Sequence, residues 1–215
     1  MELKFTLIGD GTSDKVLINI IKWLLDDLYP TIPIRIEFAD FGKFKNPPSK
    51  AIPNDQFAAA EKFYPFDFLI YHRDAEIIDL KVIDFRKKEV LSNLPEEKRK
   101  KVICIVPIKM METWLLINQE AIKKASGNRN FKEIMNLPTI NKLESFNNPK
   151  EELHNLLKKY SGLTGRRLSK FNVHQAVHFV AEYIEDFSIL RNLKAFQIFE
   201  SDLKQTVDIF INENK

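Results

Sequence analysis

Phe66-Asp67-Phe68-Leu69-Ile70-Tyr71-His72-Arg73-Asp74-Ala75-Glu76 is the stretch that decides the fold. Its first six residues form an almost unbroken apolar run, the pattern of a strand covered on both faces. It ends abruptly in charge. Upstream, Lys4–Ile8 is a second short apolar strand, ending in Gly9-Asp10-Gly11. Val16, Leu17, Ile20, Ile21, Leu24, Leu25 and Leu28 then recur at helical spacing, with Thr12 or Ser13 as the expected cap. Ile34–Phe38 reads as a strand, 41–53 as a loop and Asp55–Phe63 as a short helix. Downstream, a charged helix over Leu80–Leu94 precedes a buried strand, Lys101–Pro107, and Glu112–Ala125 is expected to be helical.

Strands alternating with helices predict an α/β fold: a doubly wound, mainly parallel four-stranded sheet with helices on both faces. After Asn128 only helix-period segments remain, over Leu153–Tyr160, Val173–Glu185 and Ile189–Asn212. The expected organisation is therefore an α/β core over 1–128 and a helical C-terminal extension over 129–215 packed on it.

Composition narrows the function. The 215 residues carry 33 Lys+Arg against 30 Asp+Glu, a net +3 that argues against a polycationic coat. The balance is uneven: residues 1–100 hold 16 basic and 17 acidic side chains, residues 101–215 hold 17 and 13. One cysteine, Cys104, excludes an intramolecular disulfide framework and a cysteine-rich zinc module. No signal sequence or membrane helix is recognisable, so a cytoplasmic protein without membrane partners is expected. Gly9 and Gly11 are followed by no Gly-Lys-Ser/Thr, which argues against ATP hydrolysis by this chain.

Open α/β sheets bind ligands at the carboxyl ends of their strands. Those positions are acidic here: Asp10, then Asp74 with Glu76, then Glu112. Each acid alone also suits an ordinary role in a turn or a helix first turn. Together they would repel unless a divalent cation sat among them, and oxygen-only ligands favour Mg²⁺ or Mn²⁺ over zinc. His72, two residues before Asp74 on the same strand face, is a candidate support. His174 and His178, four apart, read as structural or surface residues, and Trp114, Phe187, Phe196, Phe199 and Phe210 as core.

These segments resemble a TOPRIM-type domain. The resemblance rests on the strand ending in Gly9-Asp10-Gly11-Thr12-Ser13-Asp14, on His72-Arg73-Asp74-Ala75-Glu76, and on Pro107 through Glu112-Thr113-Trp114-Leu115-Leu116. More closely, the chain is similar to small bacterial TOPRIM-like proteins, a domain of unknown function related to OLD-type nucleases. Asn148-Pro149-Lys150-Glu151 and the Ser161–Arg167 stretch extend the likeness over most of the chain. The resemblance implies a metal-dependent nuclease, an endonuclease of DNA or RNA, set in bacterial defence against phage beside an ATPase partner. Metal ligation would fall on Asp10, Asp74 and Glu76, with Glu112 as a further ligand or water-activating base. Asp10 stands where the superfamily has Glu, and Glu76 where it has Asp.

On this reading Arg73 or Lys109 would stabilise the phosphoryl transition state. Lys43 and Lys45, which flank Phe44, and Arg166, Arg167 and Lys170 are the candidate nucleic-acid contacts. Two alternatives stay open: a TOPRIM-like binding or regulatory protein without catalysis, and a phosphoryl-transfer enzyme acting on a small nucleotide. A homo-oligomer is left open.

Overall fold

In the computed structural model, residues 2–128, 132, 133 and 135–214 are described. Four strands, β1 (Leu3–Ile8), β2 (Ile34–Phe38), β3 (Phe68–His72) and β4 (Val102–Ile105), form one sheet in the order β2-β1-β3-β4. Every pairing is parallel, with Phe5 opposite Ile36 and Phe68, and Ile70 opposite Ile103. The chain winds outward to one side from β1 to β2 and to the other from β3 to β4. The boundary between β1 and β3 is therefore the topological switch point, where such sheets open a crevice.

Parallel neighbours need crossover connections. A 3₁₀ turn (Thr12–Val16) and α1 (Leu17–Leu28) link β1 to β2, and α2 (Pro53–Phe63), with proline in its first turn, links β2 to β3. The pair α3 (Lys81–Leu91) and α4 (Glu96–Arg99) links β3 to β4. Then come α5 (Gln119–Ala125), α6 (Ile140–Leu143), α7 (Pro149–Tyr160), α8 (Gly165–Ser169), α9 (Val173–Tyr183) and α10 (Lys194–Glu213).

Side chains alternate along β3 and define the two layers. Phe68 stacks on Phe5 and meets Phe210 of α10 edge-on, with ring centroids 5.0 Å apart in each pair. Tyr71, pointing the other way, donates its hydroxyl proton to Gln56 of α2. Helix α1 lies on the α10 side, where the Tyr29 hydroxyl reaches Asp208 at 2.9 Å. Strand β4 is fully buried because α3 and α10 close over it, joined by the Lys87–Asp202 ion pair. The opposite edge, β2, carries Arg35 and Glu37, which discourage pairing with another chain.

The expected α/β fold with an all-parallel four-stranded sheet is present. The boundary at 129 falls on residues outside those described. α7, α9 and α10 share one hydrophobic cluster with the sheet, and Trp114, Phe187, Phe196 and Phe199 are buried in it.

Local expectations differ in several places. The helix expected over 112–125 is a 3₁₀ turn, Met111–Trp114, and a separate α5, because the Asn118 side chain caps a new start by accepting from the Ala121 amide. The charged 86–101 run reads in the sequence as a solvated helix face and turn, and is mostly exposed; Arg86 and Lys87 depart from this, being largely covered by ion-pair partners. Arg166 and Arg167, which the sequence pattern places in a loop between helices, lie in α8. No helix among the described residues is long and apolar enough to cross a membrane.

Candidate functional site

Two neighbouring side chains at the end of β3 organise everything at the switch point. His72 turns toward the α1 side, and Arg73 turns toward the α2 side.

His72 is completely buried. Its Nδ1 lies 2.9 Å from Asp14 Oδ2 and its Nε2 3.1 Å from Asp74 Oδ1. Burial disfavours the imidazolium, but the two carboxylates overcome it and push the pKa up to about 9. At neutral pH both ring nitrogens therefore donate. Asp14 is buried too, and burial opposes its charge, yet His72 and nearby donors hold it below the ordinary carboxylate range. Those donors are the backbone amides of Asp10 and Gly11, at 2.7 and 3.2 Å from Oδ2, and the Ser13 hydroxyl. The expected Thr12 or Ser13 cap is thus replaced by a carboxylate reaching back to the amides before the helix. Gly9 makes room for it: a Cβ there would come within 2.7 Å of Asp14.

Asp74 Oδ1 also accepts from the Met111 amide at 3.0 Å, which fixes the carboxylate from the β4 side. Next in sequence, Glu112 is buried, and desolvation raises its pKa, with Asp74 and Asp14 adding to the rise and Lys150 opposing it. Lys150 Nζ stands 3.7 Å from Glu112 Oε1. The loops after β3 and β4 are tied by the Ala75 amide to Pro107 O and the Glu76 amide to Lys109 O. Glu76 and Lys109 both take φ of 65°, left-handed backbone that side chains adopt at some cost in strain.

On the other side, a cleft of about 470 Å³ is lined by Asp10, Asp74, Glu76 and Glu89 together with Lys50, Arg73 and Arg86. Its charges are paired. Arg73 donates to Asp10 Oδ1, to Lys50 O at 2.8 Å and to the Tyr71 hydroxyl at 3.1 Å. Arg86 donates to Glu76 at 2.7 Å and to Glu89 at 2.9 Å. Lys50 Nζ donates to the Asp10 carbonyl.

The structure thus brings Asp10, Asp74, Glu76 and Arg73 to one cleft, whereas Glu112 lies outside it on the buried side of Asp74. Lys109 contributes its backbone. The donor set along the cleft is all carboxylate oxygen, which suits a hard cation. In the arrangement described, Asp10 and Glu76 are engaged by arginines, and no three His, Cys, Asp or Glu among the described residues group closely enough to hold a metal. The expected nucleic-acid contacts lie elsewhere. Phe44 packs on Phe63 and Tyr64 instead of standing free between Lys43 and Lys45, and Lys43 pairs with Asp40. Arg166, Arg167 and Lys170 are exposed on and just after α8. His174 neighbours His154 of α7, with ring centroids 5.3 Å apart.

Sequence reasoning missed Asp14, Lys50 and Arg86. Asp14 had a signal in the Gly-x-Gly-x-x-Asp spacing; the other two, far away in sequence, had none. Comparisons of the chain with protein-family models, curated proteins and solved structures returned no match.

Proposed function

We propose that the chain is a cytoplasmic metal-dependent phosphodiesterase, a TOPRIM-like nuclease working at the switch-point cleft. One observation carries the reading: Asp74, at the carboxyl end of the central strand, is held by buried His72 and by the Met111 amide while it lines the cleft beside Asp10 and Glu76. A carboxylate gripped from behind in this way is pre-oriented for a cation in front.

Asp10, Asp74 and Glu76 would hold Mg²⁺ or Mn²⁺, which when bound polarises a phosphate oxygen and acidifies a water. Arg73 and Arg86 are the phosphate-binding groups. Released from Asp10 and Glu76, each presents a planar fork matched to phosphate oxygens. Glu112, outside the cleft with its carboxyl held toward the protonated form, shapes the electrostatics beside Asp74 without touching the reacting atoms. The two carboxylate–arginine pairs favour a second reading, in which the cleft binds a phosphate-bearing ligand without cleaving it.

The test is incubation of the purified chain with labelled single-stranded DNA, duplex DNA and RNA under Mg²⁺ and under Mn²⁺. Metal-dependent products that vanish in a folded Asp74→Asn variant are expected. Intact substrates under both metals would overturn catalysis and leave the binding reading.

A further inference from the structure

Helix α7 carries a feature that the cleft does not use. Leu153, Leu156, Leu157 and Tyr160 are buried, and α7 packs against α5 and α9. Another stripe of the helix holds Lys150, His154 and Lys158, spaced i, i+4 and i+8 and so aligned along the axis about 6 Å apart. The three line a groove of about 490 Å³ together with Met110 and Asn155. Glu151, the acid on that groove, is in reach of the Asn148 side chain at 3.3 Å.

The stripe is incompletely neutralised. Lys158 has no ion-pair partner among the described residues, and Lys150 has only the buried Glu112, at 3.7 Å. Lys158 is left uncompensated and Lys150 is only loosely paired, so the stripe suits an anion from outside. His154 sits between the lysines with its ring edge-to-face on His174. Burial, then His174, then Lys150 and Lys158 hold its pKa below the ordinary value, so the ring is neutral at pH 7 and offers a face to a base or sugar. At its near end the stripe meets Glu112, the electrostatic neighbour of Asp74.

We propose that the Lys150–His154–Lys158 stripe of α7 is a track for the sugar–phosphate backbone of a single nucleic-acid strand, leading it toward Asp74. The destination rests on the phosphodiesterase reading; the binding does not. Lys150 and Lys158, two helical turns or about 12 Å apart, can meet phosphates about two nucleotides apart on an extended strand, and the intervening ring supplies the stacking contact that single-strand binders use.

The test is fluorescence anisotropy with a labelled oligothymidylate in EDTA, titrated across salt concentrations. Lys150→Gln combined with Lys158→Gln is expected to weaken binding at least tenfold at low salt. It should also flatten the log–log salt slope by about 1.4, since each single-strand phosphate contact contributes about 0.7. Lys62→Gln with Lys100→Gln removes equal charge from exposed positions elsewhere and should change neither. Melting curves matching wild type confirm that all variants are folded. Unchanged affinity and slope in the α7 pair would overturn the proposal, as would equal losses in both pairs. Polyglutamate competing as well as unlabelled oligothymidylate would also overturn it, in favour of an acidic protein partner. Because EDTA removes divalent ions, failure here leaves the Asp74 cleavage test standing, and failure of cleavage leaves this one standing.

Discussion

His72 and Arg73 are consecutive residues on one strand, each bound to carboxylates, yet they make opposite kinds of site. On the His72 side, His72 and Asp14 are buried and the partners are fixed: Asp14 takes two amides and the imidazolium, and Asp74 takes the imidazolium and an amide. On the Arg73 side the partners face an open cleft, with the Asp10 side chain 46% and the Glu76 side chain 73% exposed. Removing one member of a buried pair strands a charge in low dielectric, whereas a solvated pair exchanges its partner for water or an ion at little cost. The interior side is built to hold a geometry, and the cleft side is built to trade partners. Asp74 belongs to both.

The largest effect should follow from breaking the buried side. His72→Gln leaves Asp14 without its counter-charge and is expected to cost about 3–5 kcal/mol of folding stability, measured by urea denaturation. A loss below about 1 kcal/mol would erase the contrast. The same network sets a pH dependence. The folded His72 pKa, about 9, lies above the ordinary value of 6.5, so its contribution of about 3 kcal/mol is complete below pH 6.5. It fades as pH rises through 9. Melting temperature should fall across that window in the wild type and stay flatter in His72→Gln.

A smaller change of opposite sign is expected at Glu112. Its carboxyl is raised in the fold, so ionisation opposes folding as pH climbs above the ordinary value of 4.5. Glu112→Gln should therefore stabilise the protein at neutral pH, by about 0.5–2 kcal/mol in a thermal melt. The smallest effect belongs to the cleft: Arg86→Gln breaks solvated pairs with Glu76 and Glu89 and should change stability by less than about 1 kcal/mol. A loss comparable to that of His72→Gln would mean that the cleft is structural.

The sheet was legible because its strands are nearly pure runs of apolar residues, and Asp10, Asp74 and Glu76 because strand ends are where α/β sheets bind. What escaped has physical reasons. Asp14 lies beyond the strand end; its inward turn depends on the missing side chain at Gly9 and on His72, 58 residues away. The pairing of Asp10 with Arg73 and Glu76 with Arg86 is set by tertiary approach, which local pattern does not encode. Glu112 was grouped with the cleft acids by its distance from β4, but the 3₁₀ turn over Met111–Trp114 buries it behind Asp74. Phe44 matched an aromatic between cations, yet burial against Phe63 and Tyr64 claimed it.

The claim that the cleft side trades its partners for a cation is tested most directly by isothermal titration calorimetry with Mn²⁺. Wild type should bind the ion, Asp74→Asn should lose it, and Arg73→Gln, which frees the Asp10 carboxylate, should bind it more tightly than wild type. Absence of a binding isotherm in both wild type and Arg73→Gln, with melting curves showing both folded, would contradict the account.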